Sequence, residues 1–207
     1  EFANLVTDCQ GMNKEISEIG QKYKEPKNFQ EAWNHPDPIQ RKLWREAITE
    51  EYTDMDNHSV WVKTKRSQIP KNRRCVKCKW VFKIKRNGKF RARLVACGYS
   101  QIPGVDFTEN YSPVIHDISA RILIIIMIIF GLQGKLVDVE TAFLYGDLEE
   151  EVYMDCPEGM VDVKEDEALL LQSTIYGLVQ SARQYYKKAT SILKDCLLYT
   201  SPSPRDY

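Results

Sequence analysis

The chain has 207 residues, 43% of them apolar, and a formal net charge of zero. This length and composition fit one large globular domain, alone or with a small appendage, and exclude a disordered chain. The zero net charge conceals a separation, because the stretch between Asp56 and Asp106 is rich in lysine and arginine and has no acidic residue, whereas residues 136–167 are strongly acidic. The basic part is suited to a polyanionic partner, and the acidic part to metal ions or solvent.

The cysteines are scattered through a chain that has no secretory signal at residues 1–10, so we expect reduced thiols and an intracellular location. Cys75 and Cys78 form a CxxC motif. No second pair of ligands follows at zinc-finger spacing. We therefore interpret these two residues as ordinary strand and loop cysteines.

Residues 1–27 are polar and weakly patterned, which predicts a linker. The segments FQEAW and PIQRKLWREAITEEYTDMDNH then predict two amphipathic helices. SVWVKTK predicts a short strand, and SQIPKNRR predicts a loop marked by Pro70 and Asn72.

CKWVFKIKRNGKFRARLVACGYS has two alternating runs that meet at Asn87-Gly88, which predicts a hairpin with a two-residue turn. One interpretation is a soluble edge hairpin protected by lysines. The other is a basic surface, interleaved with aromatic residues, that binds phosphates and stacked bases. Alternate residues are expected on opposite faces, with Trp80, Phe82 and Ile84 towards the core and Lys79, Val81, Lys83 and Lys85 on the other side.

GVDFTENYSPV predicts a loop, and the apolar run ILIIIMIIF follows at residues 122–130. The run is about half the length needed to cross a bilayer, so we expect a buried element, either a strand or a core helix. KLVDVETAFLYGDL then predicts a strand that ends near Val139, a short helical turn and a break at Gly146. Asp138 lies between two valines, and it either faces water or is a buried carboxylate that binds a cation or a partner charge.

EEEVYMDCPEG predicts a short strand at Val152 to Met154. ALLLQSTIYGLVQSARQYYKKATSILKD predicts a strand-like segment and an amphipathic helix from about Ser181 to Lys194. Residues 196–207 begin with CLLYTSPSPRD, which resembles the conceptual translation of a sequencing adaptor, although a disordered Ser-Pro tail has the same composition. We set this tail apart from the fold.

The blocks quoted above, taken in order, resemble the reverse transcriptase domain of copia-type LTR retrotransposon Pol polyproteins, over about Glu25 to Asp195. EPKNFQEAW and LWREAITEEYTDMDNHSVW look like the family's entry helices, and the hairpin with its following loop is similar to the fingers. LVDVETAFLYGDLEEEVYMDCPEG resembles the first palm motif, and IYGLVQSARQYY the next block. The resemblance implies an α+β fold with fingers at 28–120 and a partial, split βαβ palm at 121–195, truncated before the second catalytic motif.

The resemblance also implies an RNA-directed DNA polymerase. Asp138 matches the first catalytic carboxylate, which helps to hold two Mg²⁺ ions, and the carbonyl of Val139 is a further candidate ligand. Phe143 matches the aromatic residue beneath the incoming sugar, or else it merely packs in the palm. Gln180 either lines the nucleotide pocket or template path or is a surface helix residue. Lys83, Arg91 and Arg93 are candidates for gripping template or nucleotide phosphates, and Lys79, Lys85, Arg86 and Lys89 for binding nucleic acid.

The implied partners are an RNA or DNA primer-template and dNTPs, with no membrane. The parent polyprotein is expected to contain integrase, protease and RNase H domains and to act in a cytoplasmic particle or the nucleus. The chain departs from the family pattern because it has no adjacent aspartate pair, and it has Val179 and Ala182 where the family has lysine and proline. We therefore expect this chain to be inactive as a polymerase alone. The alternatives are a non-catalytic nucleic-acid-binding remnant that uses the basic hairpin, or a remnant that folds poorly.

Overall fold

The computed structural model describes residues 24–135 and 137–197 and has a mixed α+β architecture. The predicted linker and the tail thus lie almost entirely outside the described residues. The helices and strands are, in chain order, α1 (Phe29–Trp33), α2 (Pro38–Asn57), β1 (Trp61–Lys65), β2 (Cys75–Val76), β3 (Cys78–Ile84), β4 (Phe90–Ala96), α3 (Asp117–Ile129), β5 (Asp147–Met154), β6 (Glu167–Ser173) and α4 (Ser181–Leu197).

The first two helices begin at capping side chains. The Asn28 side chain accepts a hydrogen bond of 2.9 Å from the backbone N–H of Glu31. The Asp37 carboxylate accepts one of 2.8 Å from the N–H of Ile39, and Pro38 begins α2 directly after it. Each cap satisfies a backbone donor that the first helical turn leaves unpaired.

Two separate sheets follow. A four-stranded sheet has the order β1-β6-β5-β2, in which β6 pairs antiparallel with β1 and β5, and β2 pairs parallel with β5. Strand β5 is longer than predicted, and its register shifts between Asp147 and Val152. The hairpin β3–β4 forms the second sheet and packs on α2.

The hairpin alternates as predicted, and its inner face completes the core. Trp80 and Phe82 are buried, whereas Lys79, Val81 and Lys83, which alternate with them, are exposed. The indole of Trp44 on α2 packs edge-on against Phe90, at 4.5 Å between ring centroids, and against Phe82 at 5.4 Å. Aromatic pairs of this geometry add stability beyond their buried area.

The prediction of a two-residue turn is wrong. The N–H of Lys85 donates to the carbonyl of Lys89, so the loop holds three residues, Arg86, Asn87 and Gly88. Gly88 alone among them has a positive φ, of 78°. A type I′ turn needs positive φ at both central residues, whereas a type I turn followed by one left-handed glycine gives the three-residue hairpin found here.

The expectation that residues 122–130 are buried is also wrong. The run forms most of helix α3, and the exposed fraction of its isoleucines ranges from 39% at Ile126 to 75% at Ile128. A helix that is apolar on every side needs neighbours all round, and the described residues do not supply them. Within the described parts of the chain, no helix is both long and apolar enough to span a membrane.

The predicted strand ending near Val139 is absent. Apart from residue 136, which is not described, residues 132–139 have neither helix nor strand hydrogen bonding. A strand needs a neighbour for its backbone N–H and C=O groups, and no described strand lies beside this segment. The predicted helical turn follows as a 3₁₀ helix at Ala142–Tyr145, ended by Gly146.

The CxxC cysteines lie in two strands that are consecutive in the chain but belong to different sheets. Cys75 is in β2 and Cys78 is in β3, and both are free thiols. Burial raises the pKa of both groups, to about 12 for Cys78. A thiol with a raised pKa stays protonated at neutral pH and is a poor nucleophile and metal ligand.

Candidate functional site

The outward side of the β3–β4 hairpin carries four cations, Lys79, Lys83, Arg91 and Arg93, which together we call the basic face. Lys83 lies directly opposite Arg91, and Arg93 lies opposite Val81. Both lysines are exposed and both arginines are half-buried. None of the four forms an ion pair within the described residues. Like charges opposite each other destabilise a strand pair, so this face is suited to binding an anion.

The hairpin tip carries the remaining predicted cations, and they differ in what they contact. Lys85, Arg86 and Lys89 are all exposed, but Nζ of Lys89 lies 2.7 Å from the Glu50 carboxylate. The charge of Lys89 is therefore partly compensated by α2. A small cavity of about 80 Å³ separates the tip from α2 and is lined by Lys85, Lys89 and Arg91, by Glu50, Glu51 and Asp54, and by Glu140 of the segment that follows Asp138.

Two predicted nucleotide-binding residues, Arg93 and Phe143, contact the same aromatic ring, that of Tyr176, for which no role was predicted. The guanidinium of Arg93 lies over the ring of Tyr176, at 4.9 Å from the centroid. Phe143 packs against Tyr176 at 5.2 Å between ring centroids, nearly perpendicular to it. Phe143 is half-buried, it also packs against Tyr185, and its carbonyl accepts a hydrogen bond from the hydroxyl of Thr174. The structure thus brings the basic face and the segment that contains Phe143 together at Tyr176.

Gln180 is fully buried, and its interpretation as a surface helix residue is wrong. It lies one residue before α4, its Oε1 accepts a hydrogen bond of 3.0 Å from Gln101, and its Nε2 donates one of 2.9 Å to the carbonyl of Asp106. The Gln101 side chain in turn accepts from the N–H of Val179 at 2.8 Å. These bonds tie the loop after β4 to the start of α4.

Glu51 is a buried carboxylate beneath the hairpin. It is 5% exposed and accepts a hydrogen bond of 3.0 Å from the N–H of Leu94 on β4. Burial raises its pKa to about 7, an effect that Arg91 and Arg93 partly oppose. The helical spacing of Trp44, Ile48 and Glu51 places all three on one side of α2, and that spacing is the signal that the sequence analysis overlooked.

The predicted catalytic carboxylate, Asp138, faces water, as do Val137 and Val139. The interpretation in which Asp138 is buried is therefore wrong. Metal sites that hold two Mg²⁺ ions need several hard oxygen ligands held close together. Among the described residues, no group of three or more carboxylates, histidines or cysteines has that arrangement. The donors present thus do not fit a two-metal site by themselves.

Tyr176 and Glu51 are the residues of this region that the sequence analysis missed. Tyr176 stands within the block IYGLVQSARQYY, and Gly177 directly after it has a φ of 90°. A glycine at such a point often marks a close backbone approach. The sequence contains that signal, but it does not show that the approach is to the strand carrying Arg93.

Comparison with known proteins places the chain in a defined group. A family model described as reverse transcriptase (RNA-dependent DNA polymerase) matches residues 60–203. The chain is 38% identical over 177 residues to the retrovirus-related Pol polyprotein from transposon TNT 1-94 of Nicotiana tabacum, an alignment that covers 83% of the chain and 13% of that relative.

Two relatives from Arabidopsis thaliana are similar as well. The retrovirus-related Pol polyprotein from transposon RE2 is 36% identical, over 72% of the chain and 11% of the relative. The one from transposon RE1 is 33% identical, over 75% of the chain and 11% of the relative. The chain therefore spans only 11 to 13% of the length of these relatives. No solved structure matches the chain significantly.

Proposed function

The chain belongs to the reverse transcriptase (RNA-dependent DNA polymerase) family, and from this membership we propose that it is the part of a retrotransposon Pol polyprotein that grips nucleic acid during RNA-templated DNA synthesis. Residues 28–120 form the fingers and residues 121–195 part of the palm in this proposal. The mixed α+β fold and the family match over residues 60–203 support it.

The observation that carries the proposal is the basic face. Lys83 and Arg91 lie opposite each other, and neither forms an ion pair with an acidic side chain among the described residues. A nucleic-acid backbone supplies phosphates at regular spacing and removes the repulsion between such cations when it binds. Arginine suits this role because its planar guanidinium donates to two phosphate oxygens at once. Lys79, Lys85 and Arg86 extend the positive surface along the hairpin.

The basic face leads towards the predicted sugar-facing residue. Arg93 and Phe143 both contact Tyr176. A cation beside an aromatic ring is suited to a nucleotide, whose phosphates need positive charge and whose sugar packs on an apolar surface. In the proposal, Arg93 contacts phosphate and Phe143 contacts the sugar of the incoming dNTP. Gln180 acts indirectly, through its hydrogen bonds to the loop that follows β4.

Asp138 takes part in catalysis only in the intact parent. The family in general uses divalent metal ions, and Asp138 and the Val139 carbonyl are proposed to supply two of the oxygen ligands for Mg²⁺ there. The remaining carboxylates have to come from parts of the polyprotein outside this chain. We therefore propose that the 207-residue chain binds nucleic acid but does not add nucleotides by itself.

The second candidate function is a nucleic-acid-binding remnant without a catalytic role. It is favoured by the contrast between two parts of the site, since the basic face is formed by one complete hairpin whereas Asp138 is exposed in a segment without regular structure. Both candidates require the hairpin to bind nucleic acid. They differ in what the parent polyprotein does with Asp138.

Binding to a short fluorescein-labelled RNA–DNA hybrid, followed by fluorescence anisotropy over a range of salt concentrations, tests the shared step. Affinity is expected to fall steeply with salt, and replacing both Lys83 and Arg91 with glutamine should weaken binding and reduce the slope of log K against log salt by about 2. The control replaces Arg41 and Lys42 on α2 with glutamine, which removes the same charge away from the hairpin. Equal losses in the two double variants would contradict the proposal.

Nucleotide addition by the parent polymerase separates the two functions. If the parent is a reverse transcriptase, an Asp138→Asn variant should lose primer extension and keep its affinity for the RNA–DNA hybrid. If the wild-type parent also fails to extend a primer in the presence of Mg²⁺, the binding-remnant function is the correct one.

A further inference from the structure

Tyr176 contacts both side chains that, in the proposed function, bind the incoming nucleotide, namely Arg93 and Phe143. One face of its ring carries the Arg93 guanidinium at 4.9 Å, and Phe143 packs against it at a centroid distance of 5.2 Å. The planes of the two aromatic rings are at 80° to each other. Tyr176 is half-buried, so its position depends on the surrounding fold as well as on these contacts.

The backbone of Tyr176 is attached to the strand that carries Arg93. The N–H of Ala96, at the end of β4, donates a hydrogen bond of 2.8 Å to the carbonyl of Tyr176. Gly177 follows with a φ of 90°, and a β-carbon there would lie 2.2 Å from the carbonyl oxygen of Ala96. This close approach needs glycine, and it holds the backbone next to Tyr176 against the end of β4.

Arg93 has few other groups to hold it. Its Nε is buried without a hydrogen-bond partner within the described residues, and no acidic side chain there forms an ion pair with it. A free arginine side chain has many rotamers and loses entropy whenever it binds an anion. Stacking on an aromatic ring restricts the guanidinium beforehand and leaves its outer donors open, which lowers that cost.

We propose that Tyr176 is a positioning residue: its ring holds the Arg93 guanidinium and the Phe143 ring in a fixed relation, so that a phosphate and the sugar attached to it are bound together. The inference rests on the proposed function, because it presumes that Arg93 contacts phosphate. Tyr176 itself need not touch the nucleic acid. The aromatic ring is the essential part, and the hydroxyl is dispensable.

A double-mutant cycle between Tyr176 and Arg93 tests the inference, with the affinity for a fluorescent dNTP, measured on the chain bound to the unlabelled RNA–DNA hybrid, as the readout. Tyr176→Leu keeps the apolar bulk and removes the ring, and it should weaken binding about fivefold, the effect expected for loss of a cation–π contact. Tyr176→Phe keeps the ring and should bind as the wild type does. In an Arg93→Ala background, Tyr176→Leu should cause a smaller loss, because only the contact with Phe143 is left to remove. Tyr186→Leu, at an exposed tyrosine of α4, is the matched control.

Equal losses from Tyr176→Leu with and without Arg93 would overturn the inference, because the tyrosine would then act on binding by another route. If Arg93→Ala leaves the affinity for the dNTP unchanged while the Lys83 and Arg91 double variant weakens binding of the RNA–DNA hybrid, the inference fails and the proposed function stands. If none of these variants changes binding, the proposed function fails as well. Should Tyr176→Leu not fold, Arg93→Lys tests the same contact from the other side. That variant keeps the charge and loses the planar stacking, so unchanged affinity would overturn the inference.

Discussion

Replacing Glu51 with glutamine is expected to make the chain more stable at alkaline pH and to leave its stability at acidic pH nearly unchanged. Glu51 is 5% exposed and accepts its hydrogen bond from Leu94 on β4. Burial raises the pKa of its carboxyl group from an ordinary value of 4.5 to about 7. The folded chain therefore binds this proton more tightly than the unfolded chain does.

The sign of the effect follows from that difference. Below pH 4.5 the carboxyl group is protonated in both states, and its contribution to stability is fully present. As the pH rises through about 7, the folded state has to ionise a buried group, and the free energy of unfolding falls. A difference of one in pKa is worth about 1.4 kcal/mol, so the total loss is about 3 kcal/mol above neutral pH.

Glutamine has nearly the same shape and does not titrate. Its carbonyl oxygen keeps the ability to accept from the N–H of Leu94. Urea unfolding, followed by tryptophan fluorescence at about pH 5 and about pH 8, measures the difference between the wild type and Glu51→Gln. We expect a small difference at the lower pH and a gain of up to about 3 kcal/mol for the variant at the higher pH.

The neighbouring substitution Glu50→Gln is the matched control. Glu50 is exposed and pairs with Lys89, so its loss should change stability only slightly and to a similar extent at both pH values. A Glu51→Gln effect of the same size at both pH values would refute the reasoning, because it would show that burial does not perturb the carboxyl group. The test also concerns function. The hydrogen bond of Glu51 attaches strand β4, which carries Arg91 and Arg93, to helix α2.

Three further predictions concern other parts of the structure. Gly177→Ala should lower the free energy of unfolding by at least about 2 kcal/mol, because the left-handed backbone is strained by a β-carbon and that carbon clashes with β4. Gly88→Ala is the control: its β-carbon meets no atom within 4 Å, so only the strain of about 1 kcal/mol is expected. Equal losses of stability in urea unfolding would contradict the close approach at Gly177. The exposed apolar residues of α3 should cause the chain to self-associate as its concentration rises. Ile125→Glu should reduce this self-association in analytical ultracentrifugation without destabilising the fold, and a large destabilisation would show that the helix is packed. Asp138→Asn should leave the affinity of this chain for the RNA–DNA hybrid unchanged, because Asp138 lies outside the basic face, and weaker binding by anisotropy would show that it contacts nucleic acid.

Local patterns in the sequence were sufficient for most of the secondary structure. The alternation of Trp80 and Phe82 with lysines predicted the inner and outer faces of the hairpin, and the helical spacing after Ser181 predicted α4. Such patterns work because one face of each element packs on the core and the other meets water. The loop at the hairpin tip was predicted less well, because Asn-Gly fits more than one turn type and the dihedral of Asn87 decides between them.

Patterns failed where an element has no neighbour among the described residues. The run at 122–130 has the composition of a buried element, and the segment around Asp138 has the alternation of a strand, yet burial and strand pairing both require a second surface. The sequence of each segment indicates that the segment requires a partner surface, and only the tertiary structure shows whether that surface is present. The exposed α3 and the exposed Asp138 are thus the same finding in two places.

The sequence by itself determined the family, most of the helices and strands, and which residues of the hairpin are cationic. These properties depend on residue type and on spacing within one element, which are complete in the linear chain. Tertiary structure alone decided that Glu51 is buried against Leu94 and that Arg93 and Phe143 share the ring of Tyr176. Contacts of this kind join residues that are far apart in the chain, and packing geometry, which no local pattern encodes, selects among the many pairings that are chemically possible.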